Sequence, residues 1–322
     1  MISFIVPCYN YARFLPECVE SILKLDGGFE WELLLIDDAS TDNTQEVIRS
    51  FSDPRIRITT HPVNLGHART INEGLRAARG EFIARIDPDD RYRTGFLTAV
   101  MGRFRAFPEV ALVYGDVALI DEQGQVTVRR CDREHGGRDF KGNELVRLLE
   151  HNFMCAPSII ARRSAWLEAA PVPEHLAFND WYFTVMIARA HQFYYVDEVI
   201  AEYRVHSANH HSMIARSKTE EASILWVLDH IFASAESNPE TERAKRAARR
   251  RIYGAQYFDM ANKYFGWSHE RDARRCYLAA LRHRPTYLAH AALLRRLAAT
   301  CIGRRRYDRL KSVARAILGR SA

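Results

Sequence analysis

Apolar and polar positions alternate in blocks along the first 90 residues. Runs of strand length at Ile2–Val6, Glu32–Ile36, Ile56–Thr59 and Phe82–Ile86 end abruptly at proline or at polar residues. Between them lie stretches with helical spacing. Arg13–Leu25 carries Phe14, Cys18, Ile22 and Leu25 on one side. Ser40-Thr-Asp-Asn-Thr44 offers N-cap residues ahead of Val47, Ile48 and Phe51, and His67–Ala78 closes at Arg79-Gly80. This βαβαβαβ order predicts an α/β fold with a mostly parallel sheet flanked by helices. Ligands of such sheets sit beyond the carboxyl ends of the strands. Pro7-Cys-Tyr-Asn10, Asp37-Asp38 and Asp87-Pro-Asp-Asp90 therefore converge on one crevice.

After Ala111–Tyr114 the rhythm changes. Val117–Ile120 and Val126–Val128 predict a hairpin turning at Gly124. Cys131–Asp139 is polar and predicts a loop, Lys141–Glu150 a short helix, Ser158–Ile160 a strand and Asn179–Ala190 a helix. Phe193–Val196 and Val199–Tyr203 predict two short strands, and His206–Ser212 is polar. From about Met213 the pattern is all helical, which divides the chain into residues 1–212 and a helical extension, 213–322. Tyr257, Met260, Ala261, Tyr264, Ala273, Tyr277, Ala280 and Pro285 fall close to tetratricopeptide spacing. The unit occurs once, so it predicts a lone helical hairpin over about 254–287. Arg295–Leu318 is basic and amphipathic.

Charge sharpens that division. Residues 215–322 carry 23 basic and 10 acidic side chains, whereas the preceding 214 carry 23 and 30. A basic extension on an acidic body implies an anionic contact for the extension, such as a membrane surface. No nucleic-acid-binding motif accompanies the charge, so nucleic acid is not expected. The six cysteines form no C-x-x-C pair, which indicates neither a zinc site nor a disulfide framework and favours a reducing compartment. No stretch approaches the roughly 20 apolar residues of a membrane span, and Met-Ile-Ser-Phe-Ile-Val-Pro7 lacks the basic start of a signal segment. The expectation is a cytoplasmic protein whose extension is peripheral on the inner face of the membrane.

The chemistry concentrates at Asp87, Asp89 and Asp90, with only Arg85 and Arg91 as local counter-charges. Packed carboxylates repel, and a hard divalent ion such as Mg²⁺ or Mn²⁺ offsets that cost while bridging to substrate phosphates. An acidic turn with helix-capping residues accounts for the same letters, so the rest of the chain has to decide.

Five stretches occur in order: Val6-Pro-Cys-Tyr-Asn-Tyr11, Leu34-Leu-Ile-Asp-Asp-Ala-Ser-Thr-Asp-Asn-Thr44, Asn64-Leu-Gly-His-Ala-Arg69, Ala78-Arg-Gly-Glu-Phe-Ile83 and Asp87-Pro-Asp-Asp90. Together they resemble the family 2 glycosyltransferases, which have the Rossmann-like GT-A fold; the resemblance covers roughly residues 1–210. It implies a nucleotide-sugar donor, a UDP-sugar by preference, and a glycan or lipid-linked acceptor. It implies that Pro7 and Tyr9 belong to the nucleotide site, with Tyr9 stacking on the base, that Asp38 with Asp37 beside it meets the uracil edge, and that Arg69 lies near base and ribose. Asp89 is then the metal ligand for Mn²⁺ or Mg²⁺, and Asp87 touches ribose or metal-bound water.

The resemblance also implies a general base in a Glu-Asp pair that opens a helix. Here the pair is Asn179-Asp180, so the first position departs and Asp180 is retained. Tyr203-Arg204-Val205-His206 resembles a following motif whose His approaches the metal or pyrophosphate. Thr70 stands where the family usually has Asn. Asp180 alone also fits a plain N-cap, and Trp181 fits either the core or an acceptor platform. The implied reaction is a single inverting displacement with Asp180 taking the acceptor proton. A nucleotidyltransferase is the rival enzyme, but the loop Pro7–Arg13 has no phosphate-cradling glycine. A non-catalytic scaffold acting through the extension is the other alternative, and the retained carboxylates argue against it.

Overall fold

The computed structural model describes residues 1–25, 27–131, 134–206, 218–303, 306–307 and 309. The first strands, β1 (Ile2–Cys8), β2 (Trp31–Asp37), β3 (Ile56–Thr60) and β4 (Phe82–Arg85), alternate with α1 (Leu15–Leu23), α2 (Thr44–Arg49) and α3 (His67–Ala77). These strands are parallel, with β1 between β2 and β4. Register places Cys8 opposite Asp37 and Ile5 opposite Arg85. The three predicted strand ends are thus neighbours.

The remaining elements widen the sheet and cover it. They are β5 (Arg91–Tyr92), α4 (Phe96–Ala106), β6 (Val110–Ile120), β7 (Val126–Val128), β8 (Phe140–Gly142), α5 (Leu145–Glu150), β9 (Ile159–Arg162), α6 (Arg163–Ala169), α7 (Asp180–Ala188) and β10 (Gln192–Arg204). The sheet order is β3-β2-β1-β4-β9-β6-β10-β5, with β7 beside β6 and β8 beside β10. The sheet is mixed: β9 runs antiparallel to both β4 and β6, whereas β10 is parallel to β6.

Strand alternation sorts the buried side chains onto two faces. Ile5, Leu34, Ile83 and Leu112 join one core with α3, α6 and α7; Phe4, Val6, Leu33, Leu35 and Ala84 join the other with α1 and α4. Each such side chain contributes about 1.5–3 kcal/mol by leaving water. Helix α3 lies hard against β1, since a Cβ on Gly74 would stand 2.6 Å from Ile5 Cγ2. A glycine is required there for close approach.

Several boundaries differ from the pattern. Ala111–Tyr114 and Val117–Ile120 are one strand of 11 residues, and the two expected strands near the end of the sheet are one strand of 13. The polar Asp197-Glu198 step is absorbed as a register shift against β6 instead of turning the chain. Residues 140–142 pair with β10, so the helix expected from Lys141 starts only at Leu145, whose N–H is capped by Asn143 Oδ1 at 3.0 Å. The β6–β7 hairpin forms as expected, with Gly124 at φ 77.

The extension consists of α8 (Thr219–Ala233), α9 (Pro239–Gly266), α10 (Glu270–His283) and α11 (Ala291–Ile302). Helices α9 and α10 make the expected hairpin, with Ala273, Tyr277 and Ala280 fully buried, but α9 begins well upstream of it, capped by Asn238. Ile224, Leu228, Ile252 and Tyr264 belong to the same core as Leu148 and Trp181, and Gln256 Nε2 donates to the Leu149 carbonyl at 2.8 Å. The extension is therefore packed on α5 and α7. Segment 207–212 and most of the amphipathic stretch after Ile302 lie outside the described residues. Among the described residues no helix is long and apolar enough to cross a membrane.

Candidate active site

The β1–α1 and β2–α2 loops are stitched together at the crevice. Asn10 adopts φ 61, and its Oδ1 accepts from Thr41 N at 2.7 Å and from Asp42 N at 3.3 Å. Ser40 Oγ accepts from Asn10 N, and Asp42 Oδ2 accepts from Ala12 N. These bonds present Tyr9, 42% exposed, at the mouth. Pro7 ends up inside β1, opposite Ile36, and its ring is buried.

Asp37 and Asp38 do not cap α2. Asp37 is fully buried; its Oδ1 accepts from Ser40 N, and its Oδ2 has no hydrogen-bond partner among the described residues. Asp38 holds the next loop. Its Oδ1 accepts from Leu65 N at 2.8 Å and meets His61 Nδ1 at 2.7 Å, and its Oδ2 accepts from Gly66 N at 2.8 Å. Burial opposes ionisation of Asp38, but His61 and the two backbone donors outweigh it and pull the carboxyl below its usual range. Arg69 leaves α3 on the solvent side and pairs with Glu174 at 2.7 Å. Thr70 bonds back to the Gly66 carbonyl.

At the end of β4 the three carboxylates have different surroundings. The side chain of Asp87 is about one-third exposed, whereas Asp89 and Asp90 are buried. Burial first, then the neighbouring Asp87, pushes the Asp89 carboxyl up, against the pull of His206. Asp90 is raised further by burial, Asp89 and Asp87. His206 Nε2 lies 2.9 Å from Asp89 Oδ2, with its ring against Phe14 and edge-on to Tyr11. His67 Nε2 lies 3.9 Å from Asp87 Oδ1.

Arg204 organises this turn from behind. It is fully buried; its Nε donates to the Asp89 carbonyl at 2.7 Å and its Nη2 to Glu17 Oε2 at 2.7 Å, and its N–H is accepted by Asp90 Oδ1 at 2.8 Å. Asp90 therefore ties the turn to β10 and does not cap α4. Of the two local counter-charges, Arg91 turns away to Glu17 and Glu202, and Arg85 stays, with Nη2 3.5 Å from Asp87 Oδ2.

A Mg²⁺-type ion keeps several waters and takes one or two carboxylates plus substrate phosphates. Among the described residues no group of three or more His, Cys, Asp and Glu forms an all-protein cage. The repelling pair Asp87 and Asp89, with His206 on Asp89, fits such a two-carboxylate site, because a cation offsets both the burial and the repulsion by Asp87 that raise Asp89.

Asp180 is the first residue of α7, and no described residue hydrogen-bonds to its carboxylate. Trp181 beside it is core: it is 3% exposed, and its Nε1 donates to the Leu148 carbonyl at 2.7 Å. Asn179, the N-cap, does not cap with its side chain; its Oδ1 accepts from Arg85 Nη1. The strand end and α7 thus meet through Arg85.

The profile of Glycosyl transferase family 2 matches residues 3–169, more than half of the chain. The chain belongs to family 2 of the glycosyl transferases. Its family 2 relatives include an uncharacterized glycosyltransferase of Nostoc, 27% identical over 68% of this chain and 69% of that protein. Another is WfgD of Escherichia coli, a UDP-Glc:alpha-D-GlcNAc-diphosphoundecaprenol beta-1,3-glucosyltransferase, 32% identical over 39% of this chain and 49% of its own. The chain thus spans about half the length of that second relative. Among solved structures, Staphylococcus aureus TarS 1-349 in complex with UDP-GlcNAc aligns at TM-score 0.64 and 16% identity, over 88% of this chain and 81% of its own. Mannosyltransferase PcManGT of Pyrobaculum calidifontis, in complex with GDP-Man and Mn²⁺, aligns at 0.61 and 17% identity, over 94% and 86%. At such identities the likeness carries the fold, which is GT-A.

The fold brings Tyr9, Asp37, Asp38, Asp87, Asp89 and His206 to one end of the sheet, and Arg85 links Asp87 to Asn179, the residue before Asp180. Arg69 lies at the rim. The pattern did not single out Tyr11 or the bridging role of Arg85. Tyr11 follows Tyr9 by two residues, and only the folded loop turns its ring to the carboxylates, where burial and then Asp89 and Asp87 raise its phenol.

Proposed function

We propose that the chain is an inverting glycosyltransferase that moves a sugar from a UDP-sugar to a hydroxyl of a glycan or lipid-linked acceptor. The observation that supports this reading is that the turn carrying Asp87 and Asp89, just after β4, is joined through Arg85 to Asn179, the residue before Asp180 at the start of α7. The UDP-GlcNAc bound by TarS and the UDP-Glc donor of the Escherichia coli relative favour uridine for this chain.

In the proposed reaction Tyr9 stacks on the base and Asp38, with Asp37, holds the loop that borders it. Arg69 sits at the rim near the ribose. Asp87, Asp89 and His206 would hold Mn²⁺ or Mg²⁺, which supplies Lewis-acid stabilisation of the departing diphosphate. Asp180 accepts the proton of the acceptor hydroxyl as that oxygen attacks the anomeric carbon. The basic extension is proposed to bring the site to an anionic surface that carries the acceptor, on the cytoplasmic side.

A screen of nucleotide sugars for thermal shift and donor hydrolysis, with and without Mn²⁺, tests the reading. A UDP-sugar should raise the melting temperature and release UDP. If no nucleotide sugar does either, the donor assignment is wrong.

A further inference from the structure

We infer that Arg85 is a positioning residue that locks the catalytic helix α7 to the donor side of the site. The inference rests on the function proposed above and adds a residue to it. Position 85 lies on a strand whose other members, Phe82, Ile83 and Ala84, are apolar and buried. Arg85 is 5% exposed on the same strand. A guanidinium in that place has lost water and must be repaid by partners. Its two partners lie on opposite halves of the site. One is Asp87, on the turn of metal-side carboxylates; the other is Asn179, the residue before Asp180.

The behaviour of Asn179 is the second, independent sign. Asparagine is a favoured N-cap because its side-chain oxygen normally accepts from the N–H two or three residues on. Here Asn179 makes no such bond and is only 8% exposed. Its oxygen turns inward to Arg85. The helix start gives up a local cap to gain a tether across 94 positions of sequence. Because Asp180 is the next residue, the tether fixes where its carboxylate points.

The two unusual residues explain each other. The position before the base is usually a glutamate in chains with this motif, and Asn179 departs from that. A neutral Asn beside Arg85 leaves the guanidinium charge for Asp87. A Glu at 179 would compete for it. Arg85 therefore serves as a fork: one arm sets the base and the other leans on the carboxylate next to the departing diphosphate. Arginine suits that role because its planar fork holds two directions at once, which lysine does not.

The test uses the full chain with Arg85→Met, Arg85→Lys, Asn179→Ala and the Arg85→Met/Asn179→Ala double variant. Hydrogen exchange at residues 179–183 reads the tether directly and needs no activity. Arg85→Met should loosen that turn while the rest of the sheet exchanges as before. With a donor that the unaltered protein uses, kcat should fall by about 10- to 100-fold at an unchanged KM for the nucleotide sugar, the size expected for a misplaced group. Arg85→Lys should recover part of kcat. The double variant should be no slower than Arg85→Met alone, since both remove one tether. Unchanged exchange in α7, additive losses, or a loss confined to KM would each overturn the inference. Failure of the unaltered protein to use any nucleotide sugar would instead strike the donor reading, and the exchange result would still judge the tether.

Discussion

Asp90 and Arg204 clamp the turn after β4 to β10 from two directions. Asp90 Oδ1 accepts from Arg204 N at 2.8 Å, and Arg204 Nε donates to the carbonyl of Asp89 at 2.7 Å. The third carboxylate of the cluster is thereby a structural clamp. Arg204→Met keeps the backbone bond to Asp90 but leaves Glu17 and the carbonyls of Asp89 and Asp121 without the guanidinium. Losing hydrogen bonds from a buried charged donor costs about 1.5–3 kcal/mol, which urea denaturation would read directly. A loss below 1 kcal/mol would mean that the clamp does not support the turn.

The two carboxylate centres should separate cleanly in kinetics. Asp180→Asn removes the carboxylate proposed as the base, and transfer should fall by roughly 10²–10⁴-fold. UDP affinity by calorimetry should stay as it was. Asp89→Ala should do the reverse in binding, weakening Mn²⁺-dependent UDP affinity. Loss of UDP binding in Asp180→Asn would place that residue on the donor side and remove it as the base.

Removal of divalent metal gives an independent reading of the same pair. Burial and Asp87 raise the Asp89 carboxyl in the absence of a cation, so Mn²⁺ should relieve repulsion and stabilise the fold. Added Mn²⁺ should raise the melting temperature, EDTA should reverse the rise, and Asp89→Asn should abolish it. A rise that survives Asp89→Asn would point to a different cation site.

Much of this geometry was open to the sequence for a local reason. An apolar run that ends in Asp-Asp or Asp-Pro-Asp-Asp marks a strand end wherever it occurs, and parallel order then brings such ends together. What depends on distant pairing was closed. The merging of two expected strands into β10 rests on β6, and the burial of Trp181 rests on a carbonyl in α5. The tether from Arg85 to Asn179 joins positions 94 apart with no shared pattern. Even Arg85 and Arg91, alike as counter-charges in sequence, diverge because only Arg91 has Glu17 and Glu202 within reach.

His61 should make stability depend on pH in a definite sense. Burial opposes its charge, but Asp38 at 2.7 Å and Glu73 at 3.0 Å outweigh burial and raise its pKa in the folded state. A raised histidine contributes stability that is full below the unfolded value of about 6.5 and is lost as pH rises through the folded value. Asp38 and Glu73 are the acidic groups facing it, and Asp38, held below its usual range, remains ionised at mildly acid pH. His61→Gln should therefore cost more at about pH 6 than at about pH 9, with a loss at the lower pH of about 1.5–3 kcal/mol for a bond to a charged group. Melting curves at the two pH values decide it, and a larger loss at pH 9 would contradict the assignment.

The extension makes the last prediction. Arg249, Arg250 and Arg282 gather around His283 and pair with no carboxylate among the described residues. Burial and then these three arginines pull the His283 pKa down. Arg250 is partly committed, since it donates to the carbonyls of Arg282 and His283 at the end of α10. Arg249 and Arg282 are exposed and are the pair to change. Each basic residue near an anionic bilayer contributes about 1 kcal/mol. The Arg249→Gln/Arg282→Gln variant should then lower partition onto phosphatidylglycerol vesicles by a factor of about 30 at low salt. Added salt should shrink the difference, because screening acts on exposed charges. Vesicle flotation equal to that of the unaltered protein would remove the membrane surface as the partner of this corner.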